Sequence, residues 1–248
     1  MEQPRPALAE RTAYQSQWPA EDFMVPVLRR MIESGIDRYA RAAPPDARAL
    51  DVGCGGQPFR RVLEAMGYRY IGFDALQNPA GTVDVVGAID EPLPPQLDAQ
   101  GPFHFILCTE VLEHVARWHV AFANLARLLS PGGRLLITCP HFYPPHEEPY
   151  DFWRPTIHAV DWYAREVGLK PLEVRRGGDA ADILGTMLAV TRIRAARPRF
   201  SDHVLAAVSQ LVRRCVAAAL RTPWVRQRLV MKGPLYLSLF AVLEKQPS

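Results

Sequence analysis

Cysteine is scarce in this 248-residue chain, which contains only four. Cys54, Cys108, Cys139 and Cys215 show none of the paired spacings that metal-binding cysteines adopt. Three of them fall where loops or strand interiors are expected. We therefore expect free thiols in a reducing compartment, not a disulfide framework.

Long apolar runs and a strong excess of one charge are also missing. No run reaches the ~18 apolar residues of a membrane span, and residues 1–6 lack the apolar centre of a signal peptide, so we expect a cytoplasmic protein. The net charge of +3 is too small to indicate nucleic acid as a partner. With 48% hydrophobic and 22% charged residues, the composition is typical of a globular protein with one sizeable core.

Glycine, by contrast, is concentrated where an apolar segment ends in an acidic residue. Residues 49–56 read Ala-Leu-Asp-Val-Gly-Cys-Gly-Gly, and glycines allow a turn to approach a ligand closely because they lack a Cβ. Asp51 adds a negative charge at the entrance of that turn, which suits a ligand with a cationic amine. About 20 residues further on, Tyr70–Asp74 reads as a second strand with a carboxylate at its tip, where a ribose diol is commonly bound.

Short apolar segments alternate with helical periodicities through the middle of the chain. A helix is predicted over 21–41 and another over 156–168, followed by a strand from 172. Between them we predict strands near 47–52, 69–73, 83–87, 103–109 and 134–139, with helices near 59–66 and 111–129. This alternation predicts an α/β fold with a Rossmann-like, doubly wound, mostly parallel sheet, and a ligand at the carboxyl ends of the strands.

Further motifs complete a set that can be compared with known families. Phe103–Glu110 is followed by Val111–Val115, and Leu129–Ile137 contains Ser-Pro-Gly-Gly. With the glycine-rich loop and Asp74, these segments resemble the class I methyltransferases that use S-adenosyl-L-methionine, over residues 47–140. The resemblance implies a last antiparallel strand, which we place at Tyr236–Leu243.

The predicted division of the chain follows from this resemblance. An N-terminal tail and leading helix cover 1–45, the cofactor-binding core 46–178, a helical insertion 179–231, and the last core strand with the C-terminus 232–248. In the insertion, apolar residues between Val204 and Leu220 recur at helical spacing. This helix could pack over the sheet, form a homodimer interface or make peripheral membrane contact through residues 203–224.

The resemblance also implies contacts with S-adenosyl-L-methionine. The loop glycines would lie beside its methionine part, Asp51 would face its ammonium, and Asp74 would bind the ribose hydroxyls. A tight turn with two solvated acids is the alternative. The predicted cofactor-binding residues are Asp51, Gly53, Cys54, Gly55, Asp74, Ile89 and Thr109.

One position departs from the family pattern. The acidic residue that often follows the third strand is replaced by Ala88. Asp90 or backbone groups around Ile89 would then hold the adenine. The resemblance also places Glu113 and His114 beside the cofactor, where packing at the start of a helix is the alternative role.

Residues 139–156 combine histidines, carboxylates and aromatic residues with five prolines, and they follow the fifth strand at the same sheet edge. The segment resembles a His-x-x-Pro-x-Asp-(Phe/Tyr)-x-Arg-x-Thr pattern of bacterial methyltransferases linked with sugar and natural-product modification. His146 and His141 are candidate bases for an alcohol acceptor, and Asp151 could orient a histidine or the substrate. Tyr143 and Arg154 are candidate substrate-binding residues, although Asp151 and Arg154 could instead hold the loop by ion pairing.

We assign no metal site to this loop. Its potential ligands have no recognised spacing, although their residue types suit a hard or intermediate ion: His141, His146, Glu147, Glu148 and Asp151.

The predicted function is methyl transfer from S-adenosyl-L-methionine to a small or carrier-linked substrate, by O-methylation of a sugar-like or secondary-metabolite acceptor. N-methylation of an amino group is the near alternative. A nicotinamide-dependent oxidoreductase would share the sheet, but Pro58 stands where its third glycine should be. A scaffold that binds the cofactor without reacting is the non-enzymatic alternative.

Overall fold

The computed structural model describes residues 13–40, 44–229, 231 and 233–247. Within them, short 3₁₀ helices at Pro19–Asp22 and Leu112–His114 accompany the α-helices and strands. The helices are α1 Val25–Tyr39, α2 Arg60–Ala65, α3 Pro95–Gln100, α4 Trp118–Leu128, α5 Ile157–Glu166, α6 Ala180–Val190, α7 Phe200–Arg221 and α8 Pro223–Arg228. The strands are β1 Arg48–Val52, β2 Arg69–Asp74, β3 Val85–Val86, β4 Phe103–Thr109, β5 Leu129–Pro140, β6 Leu169–Gly177 and β7 Ser238–Lys245.

The strands form one seven-stranded sheet in the order β3-β2-β1-β4-β5-β7-β6. Strands β1 to β5 pair in parallel, whereas β7 runs antiparallel between β5 and β6. Chain order reverses between β1 and β4, and this is the point where open α/β sheets bind ligands beyond the carboxyl ends of their strands. The Rossmann-like fold with a last antiparallel strand is confirmed.

Helices cover both faces of the sheet, which explains why the central strands are apolar on both sides. On one face Leu50 of β1 belongs to a core with Phe122 and Leu125 of α4. On the other face, Ala49 belongs to a core with Ile32 and Ile36 of α1. Successive side chains of β1 thus enter opposite layers, as strand geometry requires.

Two helical predictions need correction. The helix predicted over 111–129 is divided, because a 3₁₀ turn at Leu112–His114 precedes α4, which starts only at Trp118. Helix α3 was not predicted, since it has six residues and one buried side chain, Leu97, and so gives no periodic signal. The predicted insertion contains α6, α7 and α8. Of the predicted tail, residues 1–12 lie outside the described residues.

Candidate active site

Two cavities meet at the carboxyl edge of the sheet. The first, of about 200 Å³, is bordered by the ends of β1, β2 and β4 and by the segment Gly87–Asp90. The second, of about 380 Å³, lies between the glycine-rich loop and residues that precede or begin α1. Both cavities are lined by five residues: Gly53, Gly55, Glu110, His114 and Glu147. A ligand of the first cavity would therefore present an end to the second.

The glycine-rich loop needs glycine for two different reasons. Gly53 has φ +67°, and a Cβ there would lie 2.2 Å from Cγ2 of Val111, so the loop packs directly on the segment after β4. Gly55 has φ +47°, and a Cβ there would meet nothing within 4 Å. Gly53 thus positions the loop, while Gly55 leaves open space beside both cavities.

Asp51 is a buried carboxyl at the end of β1, in the wall of the second cavity. Burial raises its pKa to about 7, although the hydroxyl of Tyr70 donates a 2.7 Å hydrogen bond to Oδ2 and opposes that rise. Nearby Asp74 raises the pKa further. An ammonium group bound beside Asp51 would favour its ionised form, so the predicted pairing with a cationic amine is chemically sound.

Asp74 holds the loop as well as lining the first cavity. Its Oδ2 accepts a hydrogen bond of 2.9 Å from the amide of Gly55, and Asn78 donates to the carbonyl of Gly55 at 2.8 Å. Burial raises the pKa of Asp74, while backbone hydrogen bonds, first that from Gly55, oppose the rise. Because Oδ2 of Asp74 already accepts from the amide of Gly55, a bound ribose would contact a carboxylate that also holds the loop.

The far end of the first cavity is lined by Ala88, Ile89 and Asp90. Asp90 is buried and accepts a 3.2 Å hydrogen bond from the amide of Arg117. The carbonyl of Ile89 is held by the side-chain amide of Asn124 at 2.7 Å. The predicted residue Ile89 therefore lies at the cavity wall, with its own carbonyl already hydrogen-bonded.

Two histidine rings meet edge to face beside the junction of the cavities. The centroids of His114 and His146 are 4.8 Å apart with an interplanar angle of 78°. Nδ1 of His114 lies 2.8 Å from the carbonyl of Tyr150, and since a carbonyl only accepts, this nitrogen carries the proton. In the neutral tautomer that this contact selects, Nε2 of His114 is the acceptor. Burial, followed by the neighbouring His114, lowers the pKa of His146, so its imidazole is neutral at physiological pH.

Glu113 is fully buried next to this pair. Its Oε1 lies 3.7 Å from Nε2 of His114 and has no hydrogen-bond partner among the described residues, while the thiol of Cys139 donates to Oε2 at 3.6 Å. Burial holds the pKa of Glu113 well above its usual range. Ligand atoms of Glu113, His114 and His146 lie within 4.8 Å of one another, so their residue types could accept a divalent ion. Of this set, only His146 was among the ligand types noted in the 139–156 loop.

Asp151 and Arg154 form the internal scaffold of the loop between β5 and α5. The guanidinium of Arg154 donates to both carboxylate oxygens of Asp151, at 2.6 and 2.7 Å, and also to the carbonyls of Tyr143 and Pro144. Oδ2 of Asp151 in turn accepts from the amide of His146 at 2.8 Å. Neither side chain lines either cavity. The contacts of Arg154 are those of the ion-paired alternative, and Asp151 accepts a hydrogen bond from the amide of His146.

His141 also lies apart from both cavities. Its ring stacks on Tyr236 with centroids 4.1 Å apart and an angle of 10°, and Nδ1 lies 3.0 Å from the carbonyl of Pro155. With these contacts His141 borders neither cavity, whereas His146 lines the second one. The predicted residues Tyr143, Cys54 and Thr109 all line the second cavity.

Several residues that line the cavities were not among the predicted catalytic or binding residues. Glu110 and Glu147 border both cavities, and each has a positive φ, +55° and +53°, which is uncommon for a residue with a Cβ and clusters at functional sites. Tyr14 and Trp18 line the second cavity from the segment before α1, where Tyr14 packs on Phe59 with centroids 5.1 Å apart. The sequence places Glu110 at the end of a strand and Glu147 among the possible metal ligands, but it gives no signal for their positive φ, which is expected of glycine. It gives none for Tyr14 and Trp18, because the N-terminal segment has no period.

Comparisons with known proteins agree with this geometry. A family model described as a methyltransferase domain matches residues 27–172. A ubiquinone biosynthesis O-methyltransferase of Maricaulis maris is 33% identical over 100 residues, which are 36% of this chain and 39% of that protein. The chain thus spans about two fifths of the length of that curated relative.

Two solved structures share the fold at low sequence identity. One is a SAM-dependent methyltransferase from Archaeoglobus fulgidus, with a TM-score of 0.52, 15% identity, and coverage of 88% of this chain and 94% of that one. The other is phosphoethanolamine N-methyltransferase 2 of Haemonchus contortus in complex with S-adenosyl-L-methionine. It has a TM-score of 0.52, 17% identity, and coverage of 87% of this chain and 52% of that one.

Proposed function

The chain belongs to the methyltransferase-domain family, whose model matches residues 27–172, and from that membership we propose that it transfers the methyl group of S-adenosyl-L-methionine to an oxygen atom of a small or carrier-linked acceptor. The cofactor is the one used across this family. The nicotinamide alternative is set aside, because family membership and the Gly53-x-Gly55 spacing followed by Pro58 both disfavour it.

The residues at the sheet edge fit this cofactor. Gly55 borders open space, Asp51 offers a buried carboxyl for an ammonium, and Asp74 lines the first cavity with a carboxylate suited to a diol. When bound, S-adenosyl-L-methionine supplies a methyl group already activated by a sulfonium. The protein's own tasks are therefore to orient the acceptor, to exclude water and to accept a proton.

The observation that carries an oxygen acceptor is the histidine pair where the two cavities meet. An alcohol must lose its proton as it is methylated, so a neutral imidazole within reach accelerates transfer. His146 is neutral because burial lowers its pKa, and Asp151 fixes its backbone. Nε2 of His114, whose Nδ1 proton faces the carbonyl of Tyr150, can act as the second acceptor when that ring is neutral. His146 is the proposed base, with His114 beside it.

The wall of the second cavity supports an acceptor with a ring or another apolar body. Its side chains include five large apolar or aromatic groups: Tyr14, Trp18, Met24, Leu28 and Phe59. Such walls bind the flat faces of rings, in secondary metabolites and in sugars alike. The matched relatives are O-methyltransferases of ubiquinone biosynthesis, which supports oxygen as the acceptor atom.

N-methylation is a second candidate, and a different observation favours it. Glu21, Glu110 and Glu147 bring three carboxyl groups to the second cavity. Such groups would attract a cationic amine. Once neutral, the amine attacks the methyl carbon with its lone pair as the carbon–sulfur bond breaks, and the methylated ammonium product releases its proton afterwards. Acceptor panels that contain phenols, sugars and amines separate the two candidates.

The test is a methyl-transfer assay with labelled donor, run across that acceptor panel. We expect His146→Gln to lower kcat by about 10²- to 10⁴-fold on the preferred acceptor and His114→Gln to lower it less. His158→Gln is the matched control, since His158 is exposed on α5 and lines neither cavity. Assays with and without EDTA show whether Glu113, His114 and His146 act through a divalent ion.

If His146→Gln and His114→Gln both kept the kcat of the wild-type protein, the assignment of His146 as the base would be contradicted. Binding of S-adenosylhomocysteine without transfer to any acceptor of the panel would instead favour the scaffold alternative.

A further inference from the structure

Helix α7 turns an apolar face away from the protein. An 18-residue stretch within its 22 residues is long and apolar enough, on composition, to cross a membrane, and only 11% of that stretch is buried. The inward arc carries Ala217 and Leu220, and Leu220 packs with Phe23 and Ala181. The outward arc consists of side chains that are 45–67% exposed: Val204, Leu205, Val208, Leu211 and Val212.

Positive charge is concentrated in the segment of the chain that carries this apolar arc. Residues 190–229 contain nine arginines and one acidic residue, Asp202, a net charge of +8 in a chain whose total is +3. Some of these arginines are engaged: Arg221 pairs with Asp22, and Arg226 pairs with Asp179 and Asp182. Within the described part of the chain, no ion pair to a carboxylate is formed by Arg192, Arg194, Arg197, Arg199 and Arg214.

An arginine-lined cavity of about 680 Å³ opens beside α7. Five guanidinium groups border it, those of Arg192, Arg194, Arg213, Arg214 and Arg221, against a single carboxylate, that of Asp22. Guanidinium groups match phosphate oxygens in pairs of hydrogen bonds. The cavity is therefore suited to phosphate groups.

The positive charge of this face distinguishes between two partners that could cover it, a second copy of the chain and an anionic bilayer. In a symmetric dimer the same patch would meet itself, so two positively charged surfaces would be brought together. An anionic bilayer surface offers the opposite charge to the arginines and an apolar layer to the outward arc. A helix spanning the bilayer would instead bury Arg213 and Arg214 in its middle, at high cost.

We propose that the face formed by α6, α7 and α8 docks on an anionic lipid bilayer, with the outward arc of α7 at the headgroup boundary and the arginines on lipid phosphates. Trp224, 62% exposed at the start of α8, extends this face with a side chain suited to the interface. Residues 17–22 form a wall of both the arginine-lined cavity and the second cavity of the active site. Docking would therefore bring the acceptor entrance close to the lipid surface.

Co-sedimentation of the full chain with vesicles tests this proposal. We expect binding to vesicles of phosphatidylcholine with phosphatidylglycerol, at least tenfold weaker binding to phosphatidylcholine alone, and loss of binding as salt screens the charges. Leu211→Asp and Arg214→Glu should each weaken binding at least fivefold. Trp162→Ala and Arg61→Glu are the controls, because Trp162 is 65% exposed on α5 and Arg61 is exposed on α2.

Calorimetric affinity for S-adenosylhomocysteine, equal in all four variants, shows that the fold is retained. Equal binding to both vesicle types, or equal losses in the control variants, would overturn the proposal. The proposal would also be overturned if the wild-type protein did not bind vesicles and formed a dimer in the ultracentrifuge that Leu211→Asp dissociates. Resistance of bound protein to carbonate extraction would contradict surface docking in favour of a spanning helix.

Discussion

The buried carboxyl of Asp51 is the residue whose charge state depends most on the ligand. In the free protein its pKa is about 7, because burial penalises the carboxylate more than the hydrogen bond from Tyr70 favours it. A bound ammonium reverses that balance, so binding releases a proton wherever Asp51 is still protonated. The ionisation of one buried carboxyl thus accounts both for the release of a proton and for the recognition of the ammonium group.

The sign of this linkage gives a pH prediction. Since the carboxylate is the binding form, affinity for S-adenosylhomocysteine should rise from about pH 5.5 to about pH 7.5 and then level off, while the ligand amine stays charged. Asp51→Asn should bind more weakly at the upper pH and lose most of the pH dependence; Asp74, whose pKa is also raised, accounts for the remainder. Calorimetry in buffers of different ionisation enthalpy measures both quantities. The same pH dependence in Asp51→Asn would contradict the assignment.

The placement of a residue at the site can be predicted from the sequence where its residue type has one strong physical reason to be there. Gly53, Gly55, Asp51 and Asp74 lie at the cavities because turn geometry and strand ends fix their positions. No such reason fixes the place of His141, because the direction of a side chain in a proline-rich loop depends on packing against the distant Tyr236. Local sequence does not encode that contact.

At the scale of elements, the loop between β1 and α2 connects the fold to the site. Gly53 must fit against Val111, whereas Gly81 has the same φ of +67° but a Cβ added there would meet nothing within 4 Å. The pair separates two costs of adding a methyl group, namely left-handed strain and steric overlap. Only Gly53 carries both.

We therefore expect Gly53→Ala to lower the free energy of unfolding more than Gly81→Ala does. Strain alone costs about 1 kcal/mol, and overlap in a packed site adds about 1 to 3 kcal/mol. Gly53→Ala should also weaken S-adenosylhomocysteine, since moving the loop displaces Gly55. Urea unfolding and calorimetry provide the two readouts. Equal destabilisation by the two substitutions would show that the contact with Val111 does not constrain the loop.

At the scale of the whole molecule, the parallel sheet was predictable because each apolar strand has its own local signature. The strand order places β1 and β4 side by side, and this adjacency brings the glycine-rich loop to Glu110 and His114. The sequence left open whether residues 1–19 are a tail or a segment that orders over a bound ligand, and whether the helix in 203–224 packs over the sheet or faces a partner or a membrane. Both depend on tertiary contacts between distant segments.

A crystal structure of the chain with S-adenosylhomocysteine would locate the cofactor directly. We expect the ligand's amino group beside Asp51, its ribose at Asp74, its base against Ala88 and Ile89, and its sulfur facing His114 and His146. A ligand bound elsewhere, or density at the sheet edge that leaves Asp51 and Asp74 without contacts, would contradict this expectation.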